Sequence, residues 1–126
     1  NADFAVKRGL QIRKDPPKHM GNIYGFGALD EDFVVVNQML KYLKLGFGQV
    51  TDQLAEAIRL KMMDRGKAIK LVKKYDGKCA KRFITDFCKY LRISEKRFWQ
   101  VAEHYRNKNI WHKNKDGQWA LKTELV

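Results

Sequence analysis

The stretch from Tyr42 to Gln53 constrains the fold most, because a helical pattern stops and restarts within it. Before it, apolar residues at positions 33, 36, 40 and 43 follow the three-to-four spacing of one buried helix face. Gly46 is predicted to end this helix, since glycine takes the left-handed conformation without a Cβ penalty. Thr51 is predicted to cap the next helix through its hydroxyl, with Asp52 in the first turn. The stretch therefore predicts a helix end, a tight loop and a helix start.

Two interpretations of this loop stay open. The first is a plain connector between two helices. The second is an anion site, because backbone loosened by Gly46 and Gly48 leads into a helix N-terminus that can hold phosphate or carboxylate. The sequence contains no GxxxxGK[ST] pattern, which excludes a nucleotide P-loop of that type.

The remaining patterns predict a mainly α fold: a small bundle of four to five helices with a short C-terminal β-hairpin. After the helix over 33–45, helices are predicted at 51–63, 65–75, 80–91 and 95–106. Asp64 and Ser94 are the expected N-caps of the third and fifth, and Asp76-Gly77 should stop the third. Residues 114–117 form a glycine-containing turn between two β-prone runs, which predicts the hairpin. Because a lone hairpin is marginal in water, Trp111 or Trp119 should anchor it to the helices.

The first 32 residues differ from the rest. They carry Pro16-Pro17 and three glycines between positions 21 and 27, and they show no sustained helical period. We therefore expect residues 1–32 to be an irregular linker from a preceding domain, and residues 33–126 to form the helical domain. The opening Asn1-Ala2 suggests a cloning remnant on a fragment of a longer protein.

Composition narrows the class of protein. Apolar residues make up 44% of the chain, which supports a real core, and no apolar run approaches the roughly 18 residues of a membrane span. Cys79 and Cys88 are the only cysteines, so a disulfide scaffold or a four-ligand zinc site is not expected. Cys88 lies on an apolar helical stripe and is predicted to be a core thiol, while His104 lacks a partner at metal-ligand spacing. We expect no metal site and a reducing, cytoplasmic setting.

Positive charge is concentrated in one segment. The chain has 26 Lys and Arg against 14 Asp and Glu, a net charge of +12, and Lys61–Arg97 holds 13 of the basic and 4 of the acidic residues. Such a block indicates a solvated helical surface, a patch for a polyanion or an acidic protein, or a site for a phosphate-bearing small ligand.

The central loop belongs to an ordered set of motifs. The set comprises Tyr42-Leu-Lys-Leu-Gly-Phe-Gly-Gln-Val-Thr-Asp52, Ile58-Arg59, the run from Ala68 to Gly77, Phe98-Trp99 and Asn109-Ile-Trp111. Taken together, from about Asp32 to about Leu121, it resembles the C-terminal part of the N-acetyl sugar amidotransferases. These are bacterial proteins of surface-polysaccharide and lipopolysaccharide (LPS) biosynthesis, built on a PP-loop ATP-pyrophosphatase domain. Gln49 and Gln53 stand where that family usually has a basic residue and a histidine.

The resemblance implies a helical domain appended to an enzyme that aminates a sugar acetamido group. The full-length parent would use ATP and Mg, take ammonia from a glutaminase subunit and act on an N-acetylated nucleotide-sugar. No SGGxDS-type pyrophosphate loop occurs in this sequence, so we expect no catalytic residue and no cofactor in it, and a role in binding the substrate or the glutaminase subunit beside the preceding PP-loop domain. The matched positions that the resemblance offers as substrate or anion contacts are Tyr42, Lys44, Gly46, Gly48, Thr51, Asp52 and Arg59.

Two rival functions come from other classes. Short helices, a glycine-containing turn and a basic block are compatible with a nucleic-acid-binding module, although glycines at both ends of the loop fit no helix-turn-helix pattern cleanly. A pure assembly domain is the second rival, with Phe47, Trp111 and Trp119 as exposed contacts.

Overall fold

A computed structural model gives the fold and describes residues 2–27, 29 and 31–123. Its elements in chain order are α1 Ala2–Lys7, α2 Pro17–Met20, α3 Phe33–Leu45, α4 Gln49–Arg59, α5 Arg65–Tyr75, α6 Lys81–Leu91, α7 Glu95–Tyr105, β1 Trp111–Lys113 and β2 Trp119–Leu121. The predicted mainly α bundle with a C-terminal hairpin is confirmed. None of the helices in the described residues is long and apolar enough to cross a membrane.

The bundle has two apolar cores. The larger one lies where α3 packs against α6 and α7, around the fully buried Val36 and Phe83. Cys88 belongs to this core as a free, buried thiol, as predicted. The smaller core lies between α4 and α5, around Val50 and Leu54. The loop between α3 and α4 therefore joins the two cores, because α3 belongs to the larger core and α4 to the smaller one.

Two helix starts follow local capping chemistry. The Asp64 carboxylate accepts a hydrogen bond from the Lys67 backbone N–H at the start of α5, at 3.2 Å. The Ser94 hydroxyl accepts one from the Arg97 N–H at the start of α7, at 3.1 Å. Both predicted caps are confirmed, because each cap needs only residues within three positions.

Helix α4 departs from its predicted bounds at both ends. It begins at Gln49, two residues before the expected Thr51, and it ends at Arg59 instead of Met63. The early end has a local cause: Lys61 takes a left-handed conformation, and the Met62 N–H then reaches back to the Ala57 carbonyl at 2.9 Å. This is the geometry in which a left-handed residue closes a helix C-terminus.

The N-terminal segment is more structured than predicted. The expectation of irregular chain is wrong at α1 and α2, which are too short to give a sustained period. Met20, at the end of α2, is buried in the larger core. The Asn22 side-chain oxygen accepts hydrogen bonds from the backbone of Tyr24 and Gly25 and from the Gln53 amide on α4, at 2.8–3.2 Å. The boundary at residue 32 stays a prediction, but residues 20–25 pack directly onto the bundle.

The hairpin is tied to the bundle by one tryptophan. β1 and β2 pair antiparallel, with Trp111 opposite Leu121, across the predicted turn. The Trp111 indole N–H donates to the Leu43 carbonyl at the end of α3, at 2.8 Å, and the side chain is 5% exposed. The anchoring role is confirmed, whereas the alternative role of Trp111 as an exposed docking contact is wrong. Phe47 is exposed, with the Lys41 ammonium 4.7 Å from its ring centroid.

Candidate functional site

The helix N-terminus after the glycine loop is already bound by a carboxylate of the same chain. Asp76, at the end of α5, accepts hydrogen bonds from the backbone N–H groups of Gly48 and Val50 at 2.8 and 3.2 Å, and from the Thr51 hydroxyl at 2.6 Å. The Asp76 residue is only 6% exposed. A Cβ on Gly48 would lie 2.6 Å from an Asp76 carboxylate oxygen, so this close approach requires glycine.

This contact favours the connector interpretation of the loop over a site for an external anion. The anion that the first amides of α4 hold is the Asp76 carboxylate, which satisfies two backbone donors and faces the positive end of the helix. The predicted capping role of Thr51 is wrong, because α4 begins earlier, with Gly48 at its N-cap, and the Thr51 hydroxyl donates to Asp76 instead. A carboxylate 25 positions further along the chain performs the cap.

Tyr42 and Gly46 pack beside the same contact. A Cβ on Gly77 would lie 2.1 Å from the Tyr42 ring, so the backbone after Asp76 runs directly over that ring. The Tyr42 ring also meets Trp111 edge to face, with the ring centroids 5.2 Å apart. Gly46 has the predicted left-handed conformation. A Cβ on Gly46 would lie 3.1 Å from the side chains of Ile110 and Leu121, so this residue faces the hairpin. Four of the seven predicted positions (Tyr42, Gly46, Gly48 and Thr51) therefore meet around Asp76, Gly77 and the hairpin.

The other three predicted positions lie apart from this centre. Asp52 forms an ion pair with Lys41 at 2.5 Å and is exposed. Lys44 is exposed and lines an apolar groove between α3, α6 and α7. Arg59 is exposed at the last turn of α4. The structure thus separates the predicted charged contacts from the glycines and aromatic residues of the motif.

Replacing either exposed cation should leave the fold intact. We expect Lys44→Ala and Arg59→Ala each to change the free energy of unfolding by no more than about 0.5 kcal/mol, because both side chains are at the surface. Urea unfolding followed by circular dichroism measures this. A loss above about 1 kcal/mol in either variant would show that the side chain has a structural role.

A cleft of about 420 Å³ opens beside Tyr42. Its charged lining comprises Lys73, Lys78, Arg106 and Asp76, and its aromatic lining comprises Tyr42, Trp99, Trp111 and Trp119. The Arg106 charge is compensated by the Glu103 carboxylate, so the electropositive character of the cleft comes from Lys73 and Lys78 against Asp76, whose carboxylate is held by three donors. We call it the tryptophan cleft.

Arg106 forms the rigid wall of the tryptophan cleft. Its guanidinium carbon lies 5.0 Å from the Trp111 ring centroid and 4.7 Å from that of Trp119, within the range of cation–π attraction. Its Nε and Nη2 donate to the two carboxylate oxygens of Glu103, each at 2.8 Å. The Arg106 hydrogen bond and charge lower the pKa of Glu103, so this pair stays ionised at neutral pH. The buried Arg106 is thus fixed in place and couples α7 to the hairpin.

Lys73 and Lys78 are the adaptable cations of the cleft. Both are exposed, and within the part of the chain that the structure describes neither ammonium group has an ion-pair partner. Burial raises the pKa of the Tyr42 phenol, the Asp76 carboxylate raises it further, and the Arg106 guanidinium opposes both. Burial also raises the pKa of Cys79, another cleft residue, to about 11. The cleft therefore offers ammonium groups and a neutral phenol to a ligand, but no thiolate.

The site holds no metal-binding cluster. Within residues 2–27, 29 and 31–123, no three His, Cys, Asp or Glu side chains come together in a way that could hold an ion. The contacts that the cleft offers are the ammonium groups of its lysines and the flat rings of its aromatic residues.

Comparison with known protein families shows the family of this chain. Residues 21–125 match the family described as "LPS biosynthesis protein WbpG-like, C-terminal domain". The chain belongs to the WbpG-like family. This confirms the resemblance to a C-terminal region of proteins of LPS biosynthesis. A comparison with curated proteins gave no significant match.

Sequence reasoning missed most of the tryptophan cleft of this WbpG-like domain. Arg106 was assigned only as the end of a helix, and Lys78 only as part of the basic block. Lys73 was assigned to that block and to the motif run from Ala68 to Gly77, but not to a site. The available signal was the tryptophan at each end of the hairpin, one of which, Trp111, lies in the quoted motifs. Arg106 contacts both Trp111 and Trp119, which are eight positions apart in the chain. The register of the hairpin brings these two rings together, and no local pattern near Arg106 encodes that register.

Proposed function

We propose that this domain helps an N-acetyl sugar amidotransferase of LPS biosynthesis to bind its anionic nucleotide-sugar, and that the tryptophan cleft is the binding surface. Family membership supports the setting in LPS biosynthesis. The observation that carries the proposal is an electropositive cleft lined by aromatic rings, next to the Tyr42–Thr51 motif. A nucleotide-sugar joins flat or cyclic groups through a diphosphate, and so needs both kinds of contact.

Each part of the cleft has a distinct task in this proposal. The ammonium groups of Lys73 and Lys78 meet the phosphates, since both can move toward a ligand. The Trp119 ring is half-buried, and Arg106 and Lys113 both lie over it, 4.7 and 5.3 Å from its centroid. The part of the ring that stays exposed would contact a base or sugar. Arg106 and Asp76 act indirectly. Arg106 holds the two indole rings in place, and Asp76 holds the start of α4 beside Tyr42.

The chemistry itself belongs to the parent enzyme in this proposal. A preceding PP-loop domain would bind ATP and Mg and activate the acetamido group, and a glutaminase subunit would supply ammonia. The domain described here would close over that centre, without activity of its own, in the cytoplasm. The motifs between Asp32 and Leu121, through their resemblance to the N-acetyl sugar amidotransferases, support these elements.

Binding of a commercial nucleotide-sugar to the 126-residue chain tests the proposal. With UDP-N-acetylglucosamine as the probe, we expect a complex by titration calorimetry at low salt. Lys73→Glu should weaken it by about tenfold, the effect of losing one hydrogen bond to a charged group. Lys70→Glu is the matched control, because Lys70 is an exposed lysine on the same helix and does not line the cleft.

Three results would contradict this function. They are no complex tighter than about 1 mM, an equal loss in the Lys70 and Lys73 variants, or a sequence-selective complex with DNA or RNA. An equal loss would indicate long-range attraction by the net charge alone, which also weakens steeply with salt.

A further inference from the structure

A second concavity, of about 290 Å³, lies between α3, α6 and α7. Its lining is almost wholly apolar and includes Leu43, Phe87, Leu91, Val101 and Tyr105. Of the residues that line it, only Leu43 also lines the tryptophan cleft, so the two sites are separate. We call this second site the apolar groove.

The apolar groove exposes large side chains to solvent. Leu91 is 45% exposed, Ile93 36%, Val101 39% and Tyr105 69%. Single exposed apolar residues are ordinary, but a group that lines one concave surface is typical of a protein-binding site. Covering this surface would remove apolar area from water on both partners, which is favourable in proportion to the area.

One cation lines the apolar groove, and two more belong to the segments that form it. Among the described residues that line the groove, Lys44 alone has a charged side chain. Arg92 directly follows Leu91 and is exposed, in the left-handed conformation that ends α6. Arg97 is exposed one helical turn before Val101 on α7, so the two lie on the same side of that helix. An occupant with carboxylates beside its apolar residues would complement all three cations.

We propose that the apolar groove binds an amphipathic helix of a partner protein, with its apolar stripe in the groove and acidic residues facing Lys44, Arg92 and Arg97. A groove between packed helices accepts a helix through apolar anchors at i, i+3, i+4 and i+7. The charge around the groove selects the acidic kind of helix and disfavours a basic one. This surface is independent of nucleotide-sugar binding in the tryptophan cleft.

The shape of the surface favours a protein over a membrane. A protein that inserts into the headgroup region presents a protruding apolar face, whereas here the apolar side chains line a depression between three helices. A second copy of this chain is also disfavoured, because two such grooves would bring like charges together.

The test uses two synthetic peptides of about 18 residues with the same leucine stripe at helical spacing. One carries glutamates beside the stripe and the other carries lysines at the same positions. Fluorescence anisotropy with the 126-residue chain should give tighter binding of the glutamate peptide. Val101→Lys, which places an ammonium in the apolar groove, should weaken that binding by about tenfold or more. Met62→Lys is the matched control, because Met62 is a more exposed apolar residue that does not line the groove.

A charge reversal makes the test specific. Lys44→Glu should reduce the preference for the glutamate peptide, while thermal unfolding and UDP-N-acetylglucosamine binding stay as in the wild type. Four results would overturn the proposal: equal affinity for both peptides, equal loss in the Val101 and Met62 variants, self-association that Val101→Lys abolishes, or binding to anionic vesicles that Val101→Lys abolishes. The last two would identify a second copy or a membrane as the occupant.

Discussion

Asp76→Ala is expected to lower the free energy of unfolding by about 3 kcal/mol or more. The substitution removes the acceptor of three hydrogen bonds and leaves the N–H groups of Gly48 and Val50 buried without a partner. A lost helix cap costs about 1 kcal/mol, and each buried donor left unpaired costs about 1–3 kcal/mol. Because Asp76 also ends α5, the substitution removes a link between the end of α5 and the loop that joins α3 to α4. Denaturant unfolding at neutral pH measures the loss.

Asp64→Ala is the control for Asp76→Ala. Asp64 caps the neighbouring helix α5 by accepting from one backbone N–H, and it is exposed. Its removal should cost only about 1 kcal/mol, because water can replace the lost acceptor. Equal losses in the two variants would mean that the buried network adds nothing beyond an ordinary cap. Asp76→Asn should fall between them, since it keeps the shape of the side chain but not its charge.

Gly77→Ala is expected to destabilise the protein by about 3 kcal/mol as well, for a steric reason. The new Cβ would lie 2.1 Å from a Tyr42 ring carbon, and the Tyr42 ring is itself packed against Trp111. Either the ring or the backbone after Asp76 must therefore move, which costs about 1–3 kcal/mol in a packed region. The left-handed conformation of residue 77 adds about 1 kcal/mol for any residue with a Cβ.

Gly117→Ala separates these two causes. Gly117 has nearly the same φ as Gly77, +74° against +73°, but nothing lies within 4 Å of the Cβ that alanine would add. Its cost should be the conformational one alone, about 1 kcal/mol. If Gly77→Ala costs no more than Gly117→Ala, the close approach to the Tyr42 ring is not a real constraint. Tyr42→Ala in the Gly77→Ala background should recover the steric part of the loss.

Features that depend on near neighbours in the chain could be predicted. The starts of α5 and α7 follow from Asp64 and Ser94, each of which caps an N–H three residues on. The hairpin turn follows from a glycine with positive φ at position 117. The left-handed Gly46 follows in the same way at the end of α3. In each case the interactions that stabilise the local conformation lie within a few residues of each other, so the residue types are enough to predict that conformation.

The start of α4 could not be predicted in the same way. Thr51 has the right residue type for a cap, but a buried carboxylate 25 positions later already satisfies the first amides of the helix. The charged candidates show a similar limit. Lys44 and Arg59 are on helices where the pattern placed them, yet neither lines the tryptophan cleft. Which cations meet depends on how the helices pack, and the charge of a segment does not specify that.

The sequence by itself determined the five helices α3 to α7, most of their ends, the hairpin and membership in the WbpG-like family, because these depend on local spacing and on an ordered set of motifs. Only the tertiary structure decided that Asp76 fills the helix N-terminus, that Arg106 is held between Trp111 and Trp119, and that Lys73 and Lys78 share a cleft with Tyr42. The physical reason is that these contacts join residues far apart in the chain. Their geometry is fixed by packing of the two cores and by the register of the hairpin, which no local pattern contains.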